Sequence, residues 1–171
     1  MRRLILLRHA KADTPDGVKD HDRPLAQRGH RQCKEMGKYM ADQGLMPDLA
    51  IVSTARRTQE TWELLRPAFS SDITQQNDAR IYEALPSDIL QVIKETPASV
   101  HVLLLIGHNP GFERLAASLI ETGRPSAIAR LEREYPTAGL AVIDLAVSDW
   151  AEVSAGNGHL ERFETLASIG S

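Results

Sequence analysis

The chain of 171 residues is long enough for one well-buried core and short for two, so a single domain over residues 1–171 is expected. Hydrophobic residues at 42% and charged residues at 25% describe an ordinary globular chain, and no apolar run has the length needed to cross a bilayer. A formal charge of -3, from 20 Lys and Arg against 23 Asp and Glu, gives no ground for nucleic-acid or membrane attraction and still allows a local cationic pocket.

Leu4 to Leu7 is a continuous aliphatic run and reads as a fully buried strand. It runs directly into Arg8 and His9, so a secretory signal is not expected. Cys33, the single cysteine, excludes an intrachain disulfide and leans toward a reducing compartment, the cytoplasm. Residues 11–24 carry Pro15, Gly17 and Pro24 and read as a long surface loop. A helix is expected from Ala26 to Gln43, with Cys33, Met36 and Met40 on its inward face and Gly44 as its stop.

Leu49 to Val52 reads as a second strand, after which Ser53 and Thr54 open a helix from about Ala55 to Leu65. Residues 68–80 are mixed and yield no element. Ser87 or Asp88 is expected to cap a helix through Glu95. His101 to Ile106 is the clearest strand; Gly107 to Gly111 forms a sharp junction, and Phe112 to Ile120 reads as helix with Pro110 in its first turn. Leu140 to Val147 reads as a strand, Trp150 to Val153 as a strand paired with it across Ser148 and Asp149, and His159 to Ile169 as a C-terminal helix. Strands alternating with helices favour an α/β fold with a mostly parallel central sheet and helices on both faces.

Ligands of such folds collect beyond the carboxyl ends of the strands. Three strand endings carry unusual residues: Arg8 and His9 after the first, Arg56 after the second, and His108 after the strand ending at Ile106. Arginine offers a planar fork of donors to phosphate oxygens, and neutral imidazole offers a nucleophilic nitrogen without deprotonation of a hydroxyl. The set suits a phosphoryl group, bound and transferred.

Other phosphate chemistries fit less well. Cys33 is followed by Tyr39 where a cysteine phosphatase loop needs arginine, and no G-x4-G-K-[ST] loop occurs. Asp20 and Asp22 have the spacing of an acidic nucleophile pair but sit in a loop away from a strong strand. The histidines form no H-E-x-x-H pattern, so neither a metal nor another cofactor is implied.

RHAKA at Arg8 to Ala12, DRPLAQRG at Asp22 to Gly29, STARRTQET at Ser53 to Thr61 and GHNP at Gly107 to Pro110 occur in order. Together they resemble the signatures of the histidine phosphatase superfamily, and particularly its small SixA-like phosphohistidine phosphatases. The resemblance implies that His9 attacks phosphorus and forms a phosphohistidine intermediate that water releases. It implies that Arg8 and Arg56 hold the phosphate and that His108 bonds to it and stabilises the transition state. Ala10 stands where the superfamily more often has glycine, a mark of the subgroup.

Arg56 and Arg57 are adjacent and cannot point the same way; the resemblance selects Arg56 for phosphate and leaves Arg57 a surface or supporting contact. Ser53 is foremost a helix cap, with phosphate contact secondary, and Arg23 and Asn109 are candidates for substrate contact or support. Glu83 is the best-positioned candidate general acid, a poor match to the superfamily's carboxylate. The absence of a clear acid favours a phosphoramidate substrate, a histidine-phosphorylated protein, over an alcohol phosphate. The alternatives are a small-molecule phosphomonoesterase of the same superfamily and a regulatory module that binds phosphate without hydrolysis.

Overall fold

The computed structural model describes residues 1–170. Three aliphatic runs form the centre of a sheet: β1 (Arg2–Arg8), β2 (Leu49–Val52) and β4 (Val102–Gly107). Strand β3 (Thr74–Asn77) lies outside β2, and β5 (Ile120–Gly123), β6 (Leu140–Leu145) and β7 (Gly158–Glu164) complete the sheet in the order β3-β2-β4-β1-β6-β7-β5. Pairings β2 with β3, β2 with β4, β1 with β4 and β5 with β7 are parallel; only β6 runs against its neighbours β1 and β7.

Because side chains alternate along a strand, each aliphatic run feeds two cores. Leu4, Leu6, Ile51, Leu103 and Leu105 face one layer, with α3 (Pro86–Lys94), α4 (Gly111–Leu119) and α5 (Pro125–Arg133) packed over them. Ile5, Leu7, Ala50, Val52, Leu104 and Ile106 face the other, covered by α1 (Gln27–Asp42), α2 (Arg56–Leu65) and α6 (Leu166–Ile169). Each aliphatic side chain so buried contributes about 1.5–3 kcal/mol, which is why the runs read as two-sided strands. The result is one α/β domain with a mostly parallel sheet and helices on both faces. Among the described residues no helix is long and apolar enough to cross a membrane.

Three expectations are corrected. Residues Trp150–Glu152 form a single tight turn rather than a strand: the Asp149 carboxylate accepts from the Ala151 N–H at 3.0 Å, and the buried indole of Trp150 donates to the Val100 carbonyl at 2.8 Å. The region expected as one C-terminal helix is mainly β7. There the register slips between Val142 and Ile143, opposite Arg162 and Leu160, leaving Glu161 as an extra residue. That bulge lets Leu160 and Phe163, which an unbroken strand would send to opposite faces, enter the same core, and their spacing of three imitates a helix. The helix expected to be capped by Ser87 or Asp88 begins earlier, at Pro86, and the Asp88 carboxylate accepts from the Leu85 N–H at 3.3 Å.

The parallel register sets the site. Arg8 pairs with Gly107 and Val52 with Ile106, so β1, β4 and β2 end side by side. The pairing continues past the strands: His9 N–H donates to the Gly107 carbonyl at 3.1 Å and Ser53 N–H to the Ile106 carbonyl at 3.0 Å.

Candidate active site

His9 and His108 emerge from neighbouring strands with ring centroids 5.3 Å apart, each only 8% exposed. They line a cleft of about 240 Å³ together with Arg8, Arg23, Arg57 and Asn109, and among the described residues no carboxylate lines it. Arg8 is held by donation from Nη1 to the Tyr135 carbonyl at 2.8 Å, which also accepts from the Asn109 amide at 3.0 Å. Arg57 donates through Nη1 to the Asp20 carbonyl at 2.8 Å and through Nη2 to the Asp20 carboxylate at 3.1 Å. The Nε–H groups of Arg8 and Arg57 are buried without a protein partner, so neither guanidinium has all its donors satisfied within the fold.

The hydrogen bonds fix the imidazole tautomers. A carbonyl only accepts, so the 2.7 Å contact between His9 Nδ1 and the Ala10 carbonyl places the proton on Nδ1 and the lone pair on Nε2. Burial, reinforced by Arg57 and Arg8, pushes His9 down to about 4, so the ring is neutral at physiological pH. His108 is pushed down to about 3 by burial, by His9 and by Arg57. A guanidinium only donates, so His108 Nδ1, 3.4 Å from Arg57 Nη2, is the acceptor and Nε2–H donates to Ser53 Oγ at 2.7 Å. The site thus pairs a neutral imidazole with its Nε2 lone pair free, a neutral imidazole donor and fixed cations.

The loop of residues 11–24 is tied over this site. An antiparallel bridge joins Ala12 to Leu25, and the Asp20–Asp22 turn brings the Asp20 carboxylate to Arg57, to Arg23 at 3.1 Å and to the Tyr82 hydroxyl at 2.5 Å. These donors hold the Asp20 carboxyl far below the usual carboxylate range, the Tyr82 hydroxyl foremost. The Tyr82 ring stands edge-on to His108 at 5.4 Å and to His21 at 4.8 Å, and His21 reaches Thr54 Oγ at 2.9 Å. Gly29 permits the close approach of this loop: a Cβ there would strike the Lys11 carbonyl, which accepts from the Ala26 N–H at 2.9 Å.

Of the residues expected at the site, Arg8, His9 and His108 meet in the cleft, and Arg23 and Asn109 line it. Arg56 does not reach it. Its side chain is 56% exposed and pairs with Glu60 one turn along α2 at 3.1 Å, whereas Arg57 is buried in the cleft. The inward face of α2 explains the difference: Arg57, Thr58, Thr61, Trp62 and Leu65 are buried, and Arg57 lies one turn before Thr61. That spacing was present in the sequence, since Thr58, Trp62 and Leu65 already defined the inward side.

Ser53 is fully buried beneath His108 and leaves the cap position of α2 to Ala55. Glu83 is exposed and lies in an adjoining hollow, with its backbone at φ 49°, a left-handed conformation that costs a non-glycine residue roughly 1–2 kcal/mol. Tyr82, Tyr135 and Thr137, the last of which also lines the cleft, escaped sequence reasoning. Their roles depend on contacts across the fold, and only the aromatic rings near polar motifs gave a signal.

A neutral histidine and convergent arginines at the carboxyl ends of parallel strands form a cationic cleft suited to a tetrahedral anion. Residues 4–85 match the family model of the histidine phosphatase superfamily (branch 1). The chain is 35% identical over 159 residues to the uncharacterized protein Rv1276c of Mycobacterium tuberculosis, covering 92% of this chain and 98% of that one. A SixA structure from Agrobacterium tumefaciens superposes with a TM-score of 0.79 at 29% identity, covering 96% of this chain and 97% of that one. A second, from Nakamurella multipartitia, gives 0.80 at 24% identity, covering 96% and 95%. The chain belongs to the histidine phosphatase superfamily, and within it to the SixA-like branch.

Proposed function

We propose that the protein is a metal-independent phosphohistidine phosphatase acting on histidine-phosphorylated protein, with His9 as nucleophile. The observation that carries this reading is the neutral His9 ring, whose Nδ1–H is committed to the Ala10 carbonyl so that Nε2 presents its lone pair. Arg8, Arg57 and Arg23 take up the charge of the transferring group, and His108 turns its Nε2–H from Ser53 to a phosphoryl oxygen. His9 Nε2 bonds to phosphorus as the bond to the substrate nitrogen breaks. Water then adds to phosphorus, the electron pair of the P–N bond returns to His9, and phosphate leaves.

The substrate class rests on the lining of the cleft, which contains no carboxylate to protonate an alkoxide. The Agrobacterium tumefaciens neighbour is named a putative phosphohistidine phosphatase, which supports this substrate class. A second reading, a phosphomonoesterase for small molecules, draws on Glu83 in the adjoining hollow as an acid. Turnover of a phosphohistidine protein against a panel of sugar and nucleotide monophosphates separates the two. The proposal expects kcat/KM to favour the phosphohistidine protein, and a preference for monophosphates overturns it.

A further inference from the structure

Beside the phosphate cleft lies a second hollow of about 380 Å³, and the two share Arg57, His108 and Asn109 as a common wall. His9 lines the cleft and not the hollow. In-line displacement sends the leaving group away from its nucleophile, and the hollow is the adjoining space that His9 does not reach. Its chemistry differs from that of the cleft: Asp20 and Glu83 bring carboxylates that offset the cations Arg57 and Arg114, and Leu85, Pro86 and Pro110 bring apolar surface. The two carboxylates are not equivalent. Asp20 already accepts from Tyr82, Arg57 and Arg23, whereas Glu83 is exposed on the hollow with the Tyr82 hydroxyl beside it, and a carboxylate has about four acceptor sites, enough for Tyr82 and a further donor.

We infer that this hollow is an imidazole leaving-group subsite, in which Glu83 selects phosphohistidine over phosphomonoesters by accepting a hydrogen bond from the ring N–H remote from phosphorus. The inference rests on the phosphohistidine reading above and adds to it a means of discrimination. A ring protonated at its remote nitrogen carries positive charge, which the Glu83 carboxylate stabilises. When the P–N bond breaks, its electron pair stays on the ring nitrogen and the ring departs as neutral imidazole, with no proton transferred by the protein. An alkoxide leaving group has no such N–H, and the same carboxylate repels its developing negative charge. One residue therefore attracts the right leaving group and disfavours the wrong one. The apolar wall formed by Leu85, Pro86 and Pro110 accepts the ring faces.

The test compares kcat/KM of the intact protein, Glu83→Gln and Glu83→Asp on a phosphohistidine peptide and on p-nitrophenyl phosphate, together with inhibition by N-acetylhistidine. For Glu83→Gln the ratio of phosphohistidine to aryl phosphate turnover falls by about tenfold or more, the loss of one charge-assisted hydrogen bond, and N-acetylhistidine inhibits more weakly. Glu83→Asp recovers part of both. An unchanged ratio overturns the inference, whether neither substrate is affected or both lose equally, because Glu83 then acts on nothing peculiar to the imidazole ring. If the intact protein hydrolyses the aryl phosphate and not the phosphohistidine peptide, the proposed function itself fails, a result recognisable without any variant.

Discussion

Replacing Arg57 by alanine separates the cleft seen in the fold from the one suggested by the motif alone. Arg57 is 6% exposed, its Nη2 lies 3.4 Å from His108 Nδ1, and its Nε–H is buried without a protein partner. Two charge-assisted hydrogen bonds to a phosphoryl group, at about 1.5–3 kcal/mol each, correspond to a fall in kcat/KM of roughly a hundredfold to ten-thousandfold. Asp20 keeps Tyr82 and Arg23 as partners, so the variant is expected to stay folded, with a lower denaturation midpoint. Arg57→Lys keeps the charge but loses the fork and falls between the two. Arg56→Ala removes an exposed pair with Glu60 worth about 0.3–0.5 kcal/mol, and Glu60 still accepts from the Leu25 N–H at 2.7 Å, so activity should stay within about twofold. Steady-state kinetics on one phosphohistidine substrate, with urea denaturation of each variant, decides the matter. Activity in Arg57→Ala within about threefold of the parent, or a matching loss in Arg56→Ala, refutes the assignment.

The neutral Nδ1–H tautomer of His9 should persist down to about pH 5 in long-range proton–nitrogen NMR spectra; a cationic ring at pH 6 contradicts the derived nucleophile. Both buried histidines bind protons less tightly folded than unfolded, from 6.5 down to about 4 and about 3. The unfolded chain therefore takes up protons first as pH drops below about 6.5. Their effect on stability is absent above that pH and grows as it falls toward about 4, so the urea midpoint should be lower at pH 5 than at pH 7.5. Gly29→Ala drives a methyl group into the Lys11 carbonyl and should cost about 1–3 kcal/mol in urea denaturation, with activity lost as the loop after His9 shifts; an unchanged midpoint counts against the packing described.

The central strands and the residues at their ends were legible because both rest on local pattern. A two-sided aliphatic run such as Leu103 to Ile106 has few alternatives, and polar residues directly after it must sit at the sheet's edge. Strand β7 was hidden for the opposite reason: the bulge at Glu161 gives it a helical spacing of buried residues, and its pairing with β6 and β5 reveals the strand. Strand β3, with the sequence TQQN, lies at the sheet's edge and carries no hydrophobic signal. At the site, Arg8, His9 and His108 were readable from the motifs, but the choice between Arg56 and Arg57 required the helix phase set by Thr58, Thr61 and Trp62. Asp20, Tyr82 and Tyr135 contribute through contacts between distant segments, which a single sequence does not display.

The central claim is that phosphorus passes through a covalent bond to His9 Nε2. Rapid quenching of the protein during turnover of a phosphohistidine substrate, followed by peptide mass spectrometry under alkaline conditions, tests it directly. A phosphoryl group is expected on the peptide containing His9, formed and consumed at rates compatible with kcat, and absent from His9→Ala along with turnover. Undiminished turnover by His9→Ala, or a phosphoryl group carried on another residue, contradicts it.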